Sequence, residues 1–243
     1  MADFVLVHGA WHGGWCWRDV ARILCGAGHR AHAVTLTGVG ERVHLMTPAI
    51  TLETHISDVV NAIEAEEMKR VVLAVHSYAG MIGTAVADRM PQRLAHLVYV
   101  DAVVPEPGES WSSTHAAVTR EARIAAAENS LDYSFPPPDP AVYGLAGARH
   151  EWVGRRQVRH PGHTYTAPLQ FDPSRVAAVP RTFVDCISPP LATIDAIRKR
   201  VRDPGFWNGH WAPGGEVVEM QTGHDPMVSA PEALARILLD RVP

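Results

Sequence analysis

The chain has 243 residues, of which 47% are hydrophobic, enough for one domain with a sizeable core or one domain carrying an insertion. Its 22 Lys and Arg against 26 Asp and Glu give a net charge of −4. No long run of one sign occurs, which argues against a nucleic-acid or anionic-membrane binder. Three scattered cysteines predict neither a disulfide framework nor a zinc site. No apolar run is long enough for a signal peptide or a membrane span, so we expect a cytoplasmic protein.

Short apolar runs alternate with helical patterns along the first hundred residues, which is typical of strands buried in a parallel sheet. Thr51 and Thr54 indicate a capping box at the start of the second helix. The predicted elements, in chain order, are a strand over 4–7, a helix over 19–27, a strand over 30–35, a helix over 51–67, a strand over 71–75, a helix over 79–89 and a strand over 94–100.

The pattern changes in the segment 109–174, which holds a helical stretch over 114–128, a run of three prolines and many aromatic residues, but no clear strand. Alternation then resumes, with a strand over 181–186, a helix over 191–201, a strand over 216–220 and a helix over 231–242. Strands that alternate with helices predict an α/β fold with a mostly parallel sheet and helices on both faces. We therefore expect a single domain over 1–243, with 109–174 inserted as a lid.

Ser77 lies between a predicted strand and a predicted helix, where a sharp turn would expose its hydroxyl above the sheet edge. Such a nucleophile elbow needs small residues two before and two after the serine, because the strand and the helix pass close together. Here those positions hold Val75 and Ala79. The pattern alone fits equally well a serine that only caps the helix.

The first predicted strand runs into a Gly-rich loop, His8-Gly9-Ala10-Trp11-His12-Gly13-Gly14-Trp15. Acyl transfer needs two backbone N–H groups aimed at the developing oxyanion. One would come from Tyr78, the residue after the serine, and the other from Ala10 in this loop. A tight turn without a ligand would explain the glycines but not the surrounding His and Trp residues.

His224 follows the last predicted strand, in Thr222-Gly223-His224-Asp225. A general base must reach the serine oxygen, and its place after the serine and after the final strand distinguishes His224 from the other 13 histidines. Ser77 and His224 are therefore the candidate nucleophile and base.

Five stretches together resemble the hydroxynitrile lyase and plant-type methylesterase branch of the α/β-hydrolases: FVLVHGAWHGGWCW, HSYAGM, LVYVDAVVPEPGES, TYTAPLQ and GHDPM. The resemblance covers nearly the whole chain and implies the α/β-hydrolase fold, Ser77 as nucleophile, His224 as base, and the Ala10 and Tyr78 amides as the oxyanion hole. The chain length, together with Cys16 in the first loop, also resembles bacterial enzymes that hydrolyse benzimidazole carbamates.

The chain departs from this family pattern at two places. The triad acid commonly stands three residues after the Cys that ends the seventh strand, but Pro189 stands there after Cys186. Asp101, after the strand next to the elbow strand, is the favoured acid, with Asp185 or a bare Ser-His dyad as alternatives. Family lyases carry a Lys directly after the catalytic His, and Asp225 occupies that position, which would destabilise a cyanide leaving group.

The leading hypothesis is a cofactor-free serine hydrolase that cleaves a small ester or carbamate, with an aryl carbamate such as a benzimidazole methyl carbamate favoured. Hydroxynitrile cleavage and a non-catalytic ligand receptor are the alternatives. We expect no metal, a small-molecule substrate as the only kind of partner, and a monomer or homodimer. The predicted pocket residues, which would equally serve as core, are Trp11, Cys16, Trp111, Tyr133, Phe135 and Trp152.

Overall fold

A computed structural model describes residues 1–243 of the chain. The strands, numbered β1 to β8, are Asp3–Val7, Arg30–Val34, Val71–His76, Leu94–Val100, Ser134–Phe135, His160–Pro161, Arg181–Cys186 and Gly215–Met220. The α-helices, numbered α1 to α10, are Arg18–Gly26, Leu52–Ala65, Gly80–Arg89, Ala117–Glu128, Gly147–Gly154, His163–Thr166, Pro173–Ala177, Asp195–Arg200, Pro226–Ser229 and Pro231–Leu239.

Six of the strands form one parallel sheet in the order β2-β1-β3-β4-β7-β8. Alternate residues of β1 point to opposite faces, so that Val5 and Val7 join one hydrophobic cluster whereas Phe4 and Leu6 join another. Helices α2 and α3 supply the first cluster, and α1 and α10 the second. The mostly parallel sheet with helices on both faces is thus confirmed.

Local signals in the sequence are confirmed at some element ends and fail at others. Thr51 and Thr54 form the predicted capping box at the start of α2. The helix expected over 191–201 begins as a 3-10 turn at Ala192–Ile194 and becomes α-helical only at Asp195–Arg200.

The segment 109–174, which shows no clear strand in its sequence, contains β5 and β6, and these pair as an antiparallel two-stranded sheet. Each has only two residues, and Pro161 lacks an N–H group, so no strand pattern is visible in the sequence. No helix of the structure combines the length and the apolar character that crossing a bilayer requires.

Parallel strands bring their carboxyl ends to one edge of the sheet, where ligands bind in open α/β sheets. Here that edge gathers the loop after β1, Ser77 after β3, Asp101 after β4 and the segment 221–225 after β8. The segment 109–174 lies in the chain between β4 and β7.

Candidate active site

Ser77 directly follows β3 and adopts a left-handed backbone conformation, with φ at 53°. A 3-10 turn over Ser77–Ala79 then leads into α3. A Cβ atom on Gly80 would overlap the carbonyl oxygen of Val103, so the close backbone approach that defines this turn depends on a glycine at position 80.

Val75 stands where the elbow pattern asks for a small residue, and Gly83 of α3 makes room for it. A Cβ atom at Gly83 would lie 2.8 Å from both Cγ atoms of Val75. The space normally left by a glycine on the strand is therefore provided by a glycine on the helix. This explains how the sharp turn forms without the usual residue two positions before Ser77.

A chain of hydrogen bonds joins Ser77, His224 and Asp101. The Ser77 Oγ atom lies 2.9 Å from His224 Nε2, and His224 Nδ1 lies 2.7 Å from Asp101 Oδ2. Because the carboxylate accepts, Nδ1 carries the proton and Nε2 is free to accept from the serine hydroxyl. The structure thus brings together all three residues that the sequence singled out as nucleophile, base and acid.

Asp101 is fully buried, and a second partner balances its charge. Its Oδ1 atom accepts from Arg198 Nη2 at 2.9 Å, while Oδ2 faces His224. Asp185, the alternative acid, instead accepts from Arg198 Nε at 2.6 Å and from Arg202 Nη2 at 2.8 Å. Asp185 makes no hydrogen bond with His224, so Asp101 has the geometry of the triad acid.

The loop after β1 holds the peptide whose N–H was predicted to face the oxyanion. His8 Nδ1 donates to the Gly9 carbonyl at 2.7 Å, and His8 Nε2 accepts from the Leu36 N–H at 3.1 Å. Burial lowers the pKa of His8 to about 3, although the Gly9 carbonyl opposes this, so the ring is neutral at pH 7. His8 therefore fixes the Gly9–Ala10 peptide, while the Ala10 N–H donates to no protein acceptor.

Gly9 lets this loop approach the elbow, because a Cβ atom there would lie 2.7 Å from the Ser77 Cβ. The next residue but one, Trp11, has a strained φ of 64°. The segment 109–174 holds it from both sides, since its N–H donates to His160 Nδ1 at 3.3 Å and its carbonyl accepts from the Val158 N–H at 3.0 Å.

His12 and Asp225, the residue after His224, form a buried ion pair. His12 Nε2 lies 3.1 Å from Asp225 Oδ2, and His12 Nδ1 lies 2.7 Å from the Ala10 carbonyl oxygen. Both ring nitrogens face acceptors, so the ring must carry both protons. Burial by itself lowers the pKa of His12, but the Asp225 charge and the hydrogen bonds to Asp225 and the Ala10 carbonyl outweigh burial. The pKa of His12 is therefore raised overall. Burial by itself raises the pKa of Asp225. The charge of His12 and its hydrogen bond outweigh this effect and lower the pKa of Asp225 to about 2.

His76, His224 and Asp225 are the one group of side chains whose spacing would suit a metal ion, with ligand atoms within 4.8 Å of one another. Both nitrogens of His224 are already engaged by Asp101 and Ser77. His76 Nε2 donates to the His224 carbonyl at 2.8 Å. A metal ion would have to break these bonds, and the expectation of no metal stays a prediction.

A cavity of about 80 Å³ lies beside Ser77 and His224. Sites for drug-sized ligands are roughly 300 Å³ or more, so a ring-sized substrate requires the lining side chains to move. Trp11 and Trp111 line it as predicted. Sequence reasoning missed the other lining residues, because they carry no motif and lie in irregular or surface-like stretches: His115, Arg123, Pro138, Val142, Tyr143, Leu191, Thr193 and Ile194.

The other four predicted pocket residues lie away from this cavity. Cys16 is buried in the core on the opposite face of the sheet, and with Trp152 it borders a separate surface pocket. Phe135 packs edge-to-face behind Trp11, with ring centroids 5.6 Å apart. Tyr133 stacks on His163 at 4.1 Å. Their aromatic or thiol character reflects packing, the alternative that sequence alone left open.

Comparisons with known proteins agree with this architecture. Residues 4–237 match the model of the alpha/beta hydrolase family. The carbendazim hydrolyzing esterase of Nocardioides sp. (strain SG-4G) is 39% identical over 247 residues, covering 98% of each chain. Methylesterase 7 of Arabidopsis thaliana is 26% identical, covering 98% of this chain and 95% of its own.

Among solved structures, an extracellular alpha/beta-hydrolase from a Paenibacillus species superposes with a TM-score of 0.80. The match covers 100% of this chain and 99% of that chain at 19% sequence identity. The predicted α/β-hydrolase fold is confirmed.

Proposed function

This chain belongs to the alpha/beta hydrolase family and is an esterase-type hydrolase, and we propose that it works as a serine hydrolase on a small ester or carbamate. The observation that carries the proposal is the continuous hydrogen-bond chain from Ser77 through His224 to Asp101, at the wall of a cavity. A nucleophile, a base and an orienting acid within hydrogen-bond reach are what covalent acyl transfer requires.

In the proposed reaction the Ser77 oxygen attacks the carbonyl carbon while His224 Nε2 takes the hydroxyl proton. Asp101 stabilises the imidazolium that forms and holds its Nδ1 proton in place. The N–H groups of Ala10 and Tyr78 receive the negative charge that develops on the carbonyl oxygen. His224 then protonates the leaving group, and water, activated by the same histidine, hydrolyses the acyl or carbamoyl enzyme.

Two features favour a flat substrate and an aryl carbamate in particular. Trp11 and Trp111 present aromatic rings to the cavity next to Ser77. The 39% identical relative is named for the hydrolysis of carbendazim. A benzimidazole methyl carbamate is therefore the favoured substrate type, ahead of a simple aliphatic ester.

Hydroxynitrile cleavage fits the site poorly. A cyanide leaving group needs a cation beside the catalytic histidine, and the neighbouring side chain is the carboxylate of Asp225, held by His12. A receptor without catalysis would not require the serine, the histidine and the acid to be aligned at hydrogen-bond distances. Neither alternative accounts for the arrangement as well as hydrolysis does.

Ser77→Ala and His224→Ala test the proposal with aryl esters and aryl carbamates as substrates. We expect each variant to lower kcat by about a thousandfold or more, because the nucleophile and the base act as one unit. His32→Ala, a half-buried histidine of β2 away from the cavity, is the control and keeps normal kcat. Retention of more than about a tenth of the activity in a folded Ser77→Ala variant would refute the serine mechanism.

A further inference from the structure

Arg123 of α4 places a guanidinium group on the wall of the cavity that holds Ser77 and His224. Aromatic rings surround it: its Cζ atom lies 5.1 Å from the ring centre of Trp11, 5.3 Å from that of Trp111 and 5.4 Å from that of Tyr165. Rings stabilise a cation through their faces but accept no strong hydrogen bonds from its N–H groups. The ring faces therefore hold the group in place without satisfying its donors.

No carboxylate oxygen lies within 4.0 Å of this guanidinium. Arg123 Nη1 donates to His115 Nδ1 at 3.3 Å, and the Tyr165 hydroxyl oxygen is a second acceptor for the guanidinium. The Tyr165 hydroxyl donates to the same His115 nitrogen at 2.8 Å, so the Tyr165 oxygen accepts from Arg123. Burial, followed by the charge of Arg123, lowers the pKa of His115 to about 3, so His115 is neutral at pH 7. Two of the five N–H donors of Arg123 thus have a protein acceptor, which leaves three for a ligand.

The other charged groups around the reacting atoms are balanced within the protein. Asp101 faces both Arg198 and His224. Asp225 is paired with His12. The charge of Arg123 is therefore the uncompensated one on the wall of the cavity, and a half-buried cation without a counter-charge attracts a negative or electron-rich group of a ligand.

We propose that Arg123 binds a hydrogen-bond acceptor on the substrate, such as a carboxylate, a carbonyl oxygen or a ring nitrogen, and makes the enzyme selective for flat substrates that carry one. The acceptor lies on the part of the substrate that packs against Trp11 and Trp111, and not at the scissile carbonyl. This inference rests on the proposed function, because it assigns a specificity-determining residue to the same site.

A purely structural role makes a different prediction. If Arg123 only packed the aromatic residues together, its loss would lower stability and the activity on every substrate equally. If Arg123 binds an acceptor, its loss instead raises KM. The increase is larger for a substrate whose substituent accepts hydrogen bonds more strongly.

The test compares three aryl acetates that carry a carboxylate, a carboxamide or an ethyl group at the 3- or 4-position of the ring. Arg123→Met removes the charge and the donors, whereas Arg123→Lys keeps the charge without the planar fork. Arg120→Met is the matched control, since Arg120 lies one turn earlier on α4 and does not line the cavity. Ratios of wild-type to variant kcat/KM remove the differences in intrinsic reactivity between the esters.

We expect Arg123→Met to lower kcat/KM about a hundredfold for the carboxylate-substituted aryl acetate and about tenfold for the carboxamide-substituted one. For the ethyl-substituted aryl acetate the loss should be less than about threefold. The losses should arise mainly through KM. Arg120→Met should change all three by less than about twofold. A larger loss for the carboxylate identifies an anionic substrate group, and equal losses for carboxylate and carboxamide identify a neutral acceptor. Equal losses for all three esters would overturn the proposal.

Wild-type kinetics keep the test decisive if Arg123→Met does not fold. In wild type, the KM of the carboxylate-substituted aryl acetate should then lie about tenfold or more below that of the ethyl-substituted one. This difference should be smaller in Arg123→Lys. Absence of any difference would again refute it. Failure of the serine mechanism is distinguishable, because it would show as activity in Ser77→Ala, whereas failure of this inference leaves Ser77→Ala inactive.

Discussion

Asp101→Asn removes one charge from the site while keeping the shape of the side chain. The carboxylate oxygen lies 2.7 Å from His224 Nδ1, which puts the two charge centres about 4 Å apart when the imidazolium forms. At an effective dielectric constant of about 20, this attraction is about 4 kcal/mol. Arg198, 2.9 Å from the other oxygen, cancels part of that field. A remaining effect of about 3 kcal/mol corresponds to a hundredfold fall in kcat.

Asp185→Asn is the matched control for this prediction. Asp185 is equally buried and binds the same Arg198, so its replacement also leaves that guanidinium with one carboxylate fewer. It makes no hydrogen bond with His224, and we expect kcat to stay within about threefold of wild type. Steady-state kinetics and thermal unfolding of both variants separate catalysis from stability. Near-normal kcat in Asp101→Asn would show a Ser-His dyad, and a loss matched by Asp185→Asn would show that Asp101 only braces the fold.

Three further predictions follow from the geometry around the site. Gly80→Ala should lower the free energy of unfolding by about 3 kcal/mol, because its Cβ would overlap the Val103 carbonyl, whereas Gly26→Ala, with nothing within 4 Å of the new Cβ, should not destabilise. Because the pKa of His12 is raised in the folded protein, its stabilising effect is complete below the unfolded pKa of about 6.5. The free energy of unfolding should therefore fall as pH rises above that value. The same dependence of this free energy on pH in His12→Asn would contradict the prediction. Cys16→Ala should keep normal kcat and lose about 1 kcal/mol of stability, because Cys16 is a small core residue, and a tenfold fall in kcat would place it in the site.

Much of the fold was predictable because its strands are nearly continuous apolar runs. Val71–His76 is buried at every position and reads as a central parallel strand from sequence alone. The loops that follow such strands meet at one edge, which is why the sequence alone groups Ser77, His224 and Asp101. The position of Asp101 followed from the adjacency of β3 and β4, even though the usual acid position holds Pro189.

The cavity beside Ser77 was predicted poorly, because half of the residues that line it come from the segment 109–174. That segment combines short helices, two-residue strands and turns, so no periodic pattern tells which side chains face inward. Arg123 sits among the charged residues of α4 and looks like a solvated arginine in the sequence. Trp152 was expected in the cavity for its ring, yet it packs against Trp15 at 5.0 Å instead.

Covalent labelling of Ser77 tests the serine mechanism most directly. The wild-type protein is incubated with a fluorophosphonate, its intact mass is measured, and the modified peptide is mapped. The hydrogen bond from Ser77 to His224 predicts one adduct per chain, located at Ser77. His224→Ala should slow this labelling by orders of magnitude, because the serine then has no base. No adduct, or an adduct at another residue with Ser77 unmodified, would contradict the assignment of Ser77 as nucleophile.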